Sequence, residues 1–216
     1  MKKVNSIVAF TLVVFFTLML IPNQSFATQL NNINNNPEAI VTVINNETGE
    51  KNITKIKPTV KKNNLTNIMS NDSKSFSTNY EIYVPIEDST SKITPALSEG
   101  KNKTSGGVTA RLSVDYDVSA NNQKVRLNRI YGGWTPSKPM YVVSNRSVGA
   151  HTGLAKGGKK ISFKPTSNSF NRYTGWGYNY RIFGDAAPRA WSSAKIRVSG
   201  MSGTSHTIKI EFTYSD

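Results

Sequence analysis

Hydrophobic residues in the second half of the chain recur at every second position, in short runs. Ala110, Leu112, Val114, Tyr116 and Val118 form the first series, with Arg111, Ser113, Asp115 and Asp117 between them. Successive side chains of a strand point to opposite faces, so this period of two predicts one buried and one solvated face. Val125 and Leu127 continue the pattern against Lys124, Arg126 and Asn128, and Ile130 then falls out of phase, which predicts a β-bulge. Further strands are expected from Met140 to Val143, around Ile161 and Phe163, and from Trp176 to Ile182. In that last run Trp176, Tyr178, Tyr180 and Ile182 are expected to share the inner face. A terminal hairpin follows, with Ala194, Ile196 and Val198 inward, a turn at residues 200–203, and Ile208, Ile210 and Phe212 inward again.

About seven short strands, punctuated by Gly, Pro, Asn and Ser, predict an all-β fold: an antiparallel β-sandwich of immunoglobulin-like size. A small closed β-barrel is the alternative. The chain has no cysteine, so no disulfide can join two sheets, and Trp134 or Trp191 is expected to fill the centre. The same absence excludes thiol catalysis, Cys-ligated zinc and iron–sulfur clusters.

Composition divides the 216 residues into three parts. Lys2 and Lys3, the apolar run from Ile7 to Ile21, Pro22 and then Ser25-Phe26-Ala27 read as a secretory signal peptide, residues 1–27, cut after Ala27. The protein is therefore expected to be secreted and extracellular, with any association with a cell wall non-covalent. Residues 28–98 carry seven Lys and seven acidic residues and only three aromatics, whereas residues 99–216 carry 18 Lys and Arg, six acidic residues and 14 aromatics. Core-forming residues are thus concentrated late in the chain. Residues 28–78 are expected to be an Asn-rich, weakly ordered N-terminal region or spacer containing one hairpin, from Ile40–Ile44 to Ile53–Ile56. The sandwich domain is expected over 79–216, with its core in 99–216 and a strand at Tyr80 to Val84.

Several strings imitate catalytic motifs. Gly153-Leu154-Ala155-Lys156-Gly157-Gly158-Lys159-Lys160 nearly spells a phosphate-binding loop, but Lys160 stands where a magnesium-binding hydroxyl is needed, and a strand is expected after it rather than a helix. Asp115 and Asp117 lie ~7 Å apart on one strand face, a gap that overlaps the one inverting glycosidases use. His151 and His206 would have to recruit Asp185 and a serine without a nucleophile elbow, and Ser192-Ser193-Ala194-Lys195 runs into a strand. No catalytic residue, metal site or cofactor is expected.

The charge pattern carries more. Arg111, Lys124, Arg126, Lys160, Lys164, Lys195, Arg197 and Lys209 all fall on the outward phase of their strands or next to it. Outward faces of one sign favour polyanions. Arg172 and Tyr173, in the aromatic stretch from Phe170 to Arg181, are expected to be exposed and to add contacts. The expected function is therefore a secreted, non-catalytic protein that associates with an anionic cell-wall polymer or polysaccharide of the envelope. A membrane-active or antimicrobial protein acting on anionic membrane surfaces is the first alternative, and a polysaccharide hydrolase built on Asp115 and Asp117 is the second. No nucleic-acid-binding motif is found, so nucleic acid is not the expected partner.

Overall fold

The structure is a computed structural model that describes residues 37–60, 73–86, 96–97, 106–153 and 157–214. All of these belong to one compact unit, residues 36–216. The expected signal peptide lies outside the described residues. Among the described residues thirteen strands follow in chain order: β1 (Ala39–Asn45), β2 (Lys51–Ile56), β3 (Thr59–Val60), β4 (Ser73–Pro85), β5 (Ala96–Leu97), β6 (Gly107–Ser119), β7 (Lys124–Pro136), β8 (Tyr141–His151), β9 (Lys160–Phe163), β10 (Ser169–Tyr173), β11 (Asn179–Tyr180), β12 (Arg189–Val198) and β13 (His206–Thr213).

They build two antiparallel sheets, a six-stranded one in the order β2-β1-β13-β12-β8-β9 and a seven-stranded one in the order β10-β7-β6-β4-β3, with β11 beside β7 and β5 beside β4. Among the described residues neither sheet closes on itself, so the architecture is a sandwich and not a closed barrel. The predicted inward series of β6, β12 and β13 are buried. Between the sheets, Phe212 of β13 packs against Tyr116 of β6 at 5.5 Å and Tyr80 of β4 at 6.1 Å.

The bulge falls in β7. Asp115 pairs with Arg129 and Tyr116 with Leu127, which leaves Asn128 as the extra residue. That insertion restores the inward phase, so Val125, Leu127 and Ile130 are all buried. Of the two tryptophans expected at the centre, Trp134 is the buried one, packed on Phe170 at 5.4 Å. Trp191 lies on the outer face of the six-stranded sheet, over Gly149, where a Cβ would come within 2.4 Å of its ring.

Two expectations need correction. The region before residue 79 is not a spacer where it is described. The expected hairpin exists, as β1 and β2, but all seven residues of β1 pair with β13 and Val41 and Val43 are buried in the common core. The sandwich thus begins at Ala39. Low aromatic content does not mark a spacer here, because β1 contributes small β-branched residues to a core that later strands supply with rings. Tyr178 and Tyr180 also do not join Trp176 on an inner face. Trp176 is buried, but Tyr180 is 68 % exposed. Residues 174–178 form no strand, and Gly175 takes a φ of +65°, so alternation does not carry across them.

Candidate functional site

The two sheets present outer faces of different electrostatic character. On the six-stranded sheet the outward positions include Lys51 and Lys55 of β2, Lys209 of β13, Arg189, Lys195 and Arg197 of β12, and Lys160 of β9. Against these seven cations the strands place one outward carboxylate, Glu211, which is bonded to Arg189 at 3.1 Å and to Lys209, and Asp185, just before β12, adds a contact to Arg189 at 3.4 Å. Lys164, just after β9, is exposed. Four of the sequence-nominated residues (Lys160, Lys195, Arg197 and Lys209) therefore share one face. Lys51, Lys55 and Arg189 join them, and strand alternation in β2 and β12 could have nominated all three.

On the seven-stranded sheet the nominated Arg111, Lys124 and Arg126 are also outward, but here the arginines are matched. Arg111 bonds to Glu81, Arg126 to Asp117, and Arg129 stands 4.0 Å from Asp115. These pairs follow from register, since Glu81 is the cross-strand neighbour of Arg111, and Arg126 that of Asp117. The remaining cation faces are covered by rings along the edge of β7. Lys124 lies over Tyr180 at 4.9 Å, Arg126 over Tyr178 at 4.8 Å, and Arg129 over Tyr131 at 4.4 Å and Tyr173 at 5.1 Å. Tyr173 is 70 % exposed. Arg172 is on the other phase of β10 and reaches the edge of the sandwich, 5.7 Å from the Phe163 ring. The nominated residues thus divide between two opposite faces instead of forming one.

A groove of about 570 Å³ crosses the seven-stranded face, with Asn79, Ser113, Tyr131 and Asn171 among its lining residues. Gly133 lines it at an outward position, where the Asn168 backbone crosses close above the strand. Nothing larger fits, because a Cβ there would stand 2.3 Å from the Asn168 carbonyl.

Burial would raise the carboxyl of Asp117, but hydrogen bonds from Ser75, Arg126 and Asn128 and the Arg126 charge outweigh it and hold the group below its ordinary value. A general acid needs the opposite shift. Asp115 accepts from the Ser77 hydroxyl at 2.7 Å. Ser192 and Lys195 project from opposite faces of β12, Ser192 inward and Lys195 outward, and so do not act on one another. His151 Nδ1 accepts from the Gly153 amide at 3.1 Å, and His206 Nδ1–H donates to the Thr204 carbonyl at 3.0 Å. Of the phosphate-loop imitation, Leu154 to Lys156 lie outside the described residues, and Lys160 opens a strand. Among the described residues, no group of three or more His, Cys, Asp or Glu could hold a metal ion.

The histidines and Asp117 predict how the fold responds to acid. Burial pushes both imidazoles below the ordinary 6.5; for His151 the Arg189 and Lys160 charges add to the effect against Glu211, and for His206 the Thr204 bond and Glu47 oppose it. The unfolded chain therefore binds these protons first, and stability falls as pH drops below 6.5 towards the lowered folded values. Asp117 adds a second loss below 3.8, where its unfolded carboxyl protonates while the folded one does not. Melting temperature against pH should show both steps, and Asp117→Asn should abolish the lower one while leaving the upper.

No protein-family profile, curated protein or solved structure matches the chain.

Proposed function

We propose that this protein is secreted and binds an anionic polymer of the cell envelope, without catalysis, through the outer face of its six-stranded sheet. The observation that carries the reading is the segregation of sign: seven outward cations with Glu211 on that face, against matched arginine–carboxylate pairs on the other. Surfaces kept for solubility interleave both signs, whereas a face of one sign concentrates field on a polyanion. The cations lie on paired strands, so their spacing is set by the backbone and costs little ordering on binding. The leader-like residues 1–27 support the reading that this activity lies outside the cell.

Retention of the chain from Thr28 onward on purified cell walls tests the proposal. Engagement of about five cations predicts that affinity falls roughly 10²–10³-fold between about 50 and 200 mM salt, by the counterion-release slope for polyanions. Retention indifferent to salt would sink it.

A second reading, association with an anionic membrane surface, is favoured by one observation. Tyr173, Tyr180 and Phe183 are exposed rings, each from 61 % to 70 %, with Arg129, Lys124 and Arg181 against them. Amphipathic rings beside cations suit a headgroup layer. Leakage from anionic vesicles would favour this reading over the polymer, which predicts none.

A further inference from the structure

The groove on the seven-stranded face points to a second binding site with different chemistry. We propose that it binds a neutral oligosaccharide, independently of the basic face on the opposite sheet.

The floor is a row of cross-strand neighbours: Asn171 of β10 opposite Tyr131 of β7, Tyr131 opposite Ser113 of β6, and Ser113 opposite Asn79 of β4. Three strand spacings make this row ~14 Å long, which suits a short chain of rings better than a single small molecule. Its volume falls inside the usual range for small-ligand sites, ~300–1,000 Å³.

Every member of the row is polar and uncharged, and each keeps hydrogen-bonding capacity. Ser113 donates to Asn79 Oδ1 at 2.7 Å, and Arg129 donates to Asn171 Oδ1 at 2.7 Å. These bonds fix both carboxamides and leave their N–H groups without a partner among the described residues. The Ser113 oxygen can still accept. The Tyr131 hydroxyl sits 3.3 Å from the Ser77 hydroxyl and 3.4 Å from Asp115, at the long end of hydrogen-bonding distance, so it can be recruited by a ligand. Fixed donors and acceptors in alternation, beside an aromatic ring, match the hydroxyl pattern of a sugar.

Charge and topology exclude the other ligand classes. Arg111 and Arg129 border the groove, but Glu81 bonds Arg111 and Asp115 stands 4.0 Å from Arg129, so their attraction for an anion is largely offset. A peptide would need a free strand edge or apolar side-chain pockets. Here β4, β6 and β7 are each paired on both sides, only β10 at the end of the row is an edge strand, and the floor is hydroxyl and amide, without apolar pockets for peptide side chains. The residues also differ from those of the basic face, so the two sites fail or succeed separately.

The test is calorimetric titration of the chain from Thr28 onward, which contains every described residue, with a panel of neutral hexose and N-acetylhexosamine tetrasaccharides. At least one should bind with one site per chain and an affinity that salt does not change. Asn171→Ala and Asn79→Ala should each weaken it by roughly tenfold, the loss of about one hydrogen bond. Asn171 is exposed on an edge strand, so its variant should melt like the parent. Lys195→Glu with Lys209→Glu should abolish salt-dependent wall retention and leave sugar binding unchanged. Failure of every tetrasaccharide to bind would overturn the proposal, as would binding that survives both asparagine substitutions.

Discussion

A fragment of residues 99–216 should not fold, even though it holds most of the aromatic residues and a net charge of +12 out of the chain's +14. It lacks β1 to β5. Without β4, all 13 residues of β6 lose a cross-strand partner, from Ser73↔Ser119 to Pro85↔Gly107. Without β1, β13 loses its pairs from Ala39↔Phe212 to Asn45↔His206 and becomes an open edge. The core would lose Val41, Val43, Ile56, Tyr80, Ile82 and Val84, all fully or almost fully buried. Burying side chains of this size is worth ~1.5–3 kcal/mol each, so these six approach or exceed the whole stability of a domain, ~5–15 kcal/mol. A fragment beginning at residue 79 cuts β4 in half and still lacks β1, and should fare little better. Circular dichroism melts of chains beginning at residues 37, 79 and 99 should show one cooperative transition in the first alone, with aggregation of the shorter two through their exposed edges. Equal melts of all three would refute this account of the core.

Phe212→Ala should be the most damaging single substitution among the aromatic contacts described. Phe212 is fully buried on β13 and touches rings from two strands of the other sheet, Tyr116 and Tyr80. The neighbours cannot close the space, because Tyr116 is itself held by Phe76 at 5.2 Å and Tyr214 at 5.3 Å. Large-to-small changes at such sites cost ~3–5 kcal/mol, with the residual cavity adding to lost transfer energy. For a chain of this size that lowers the melting temperature by roughly 6–20 °C. Chemical denaturation should show a lower midpoint at unchanged slope, and Phe212→Leu should recover most of the loss. A shift of only a degree or two would mean that the two sheets are not locked through this cluster.

The same cluster explains why composition alone sets the domain boundary too late. Tyr80 and Phe212 lie 132 positions apart, and no local pattern links them. Residues 28–98 look neutral and poor in rings, as a spacer would. Yet β1 needs only Ala39, Val41 and Val43 on its inner face, because Phe212 and its neighbours already fill the space opposite. Composition counts what a segment brings, and cannot count what its partners supply.

Alternation by itself determined most of the strands, their inward residues and the bulge after Leu127, because a period of two is a property of the extended backbone and survives any tertiary arrangement. It also determined which cations point outward. Which sheet each strand joins was left to the tertiary structure, since strand pairing depends on contacts between distant segments. That choice divided the outward cations, leaving Lys160, Lys195, Arg197 and Lys209 with few acidic neighbours while Arg111 and Arg126 met Glu81 and Asp117 across the strand. The groove was invisible for the same reason. Asn79, Ser113, Tyr131 and Asn171 come from four strands spread over 93 positions, and only the register of those strands brings them into one row.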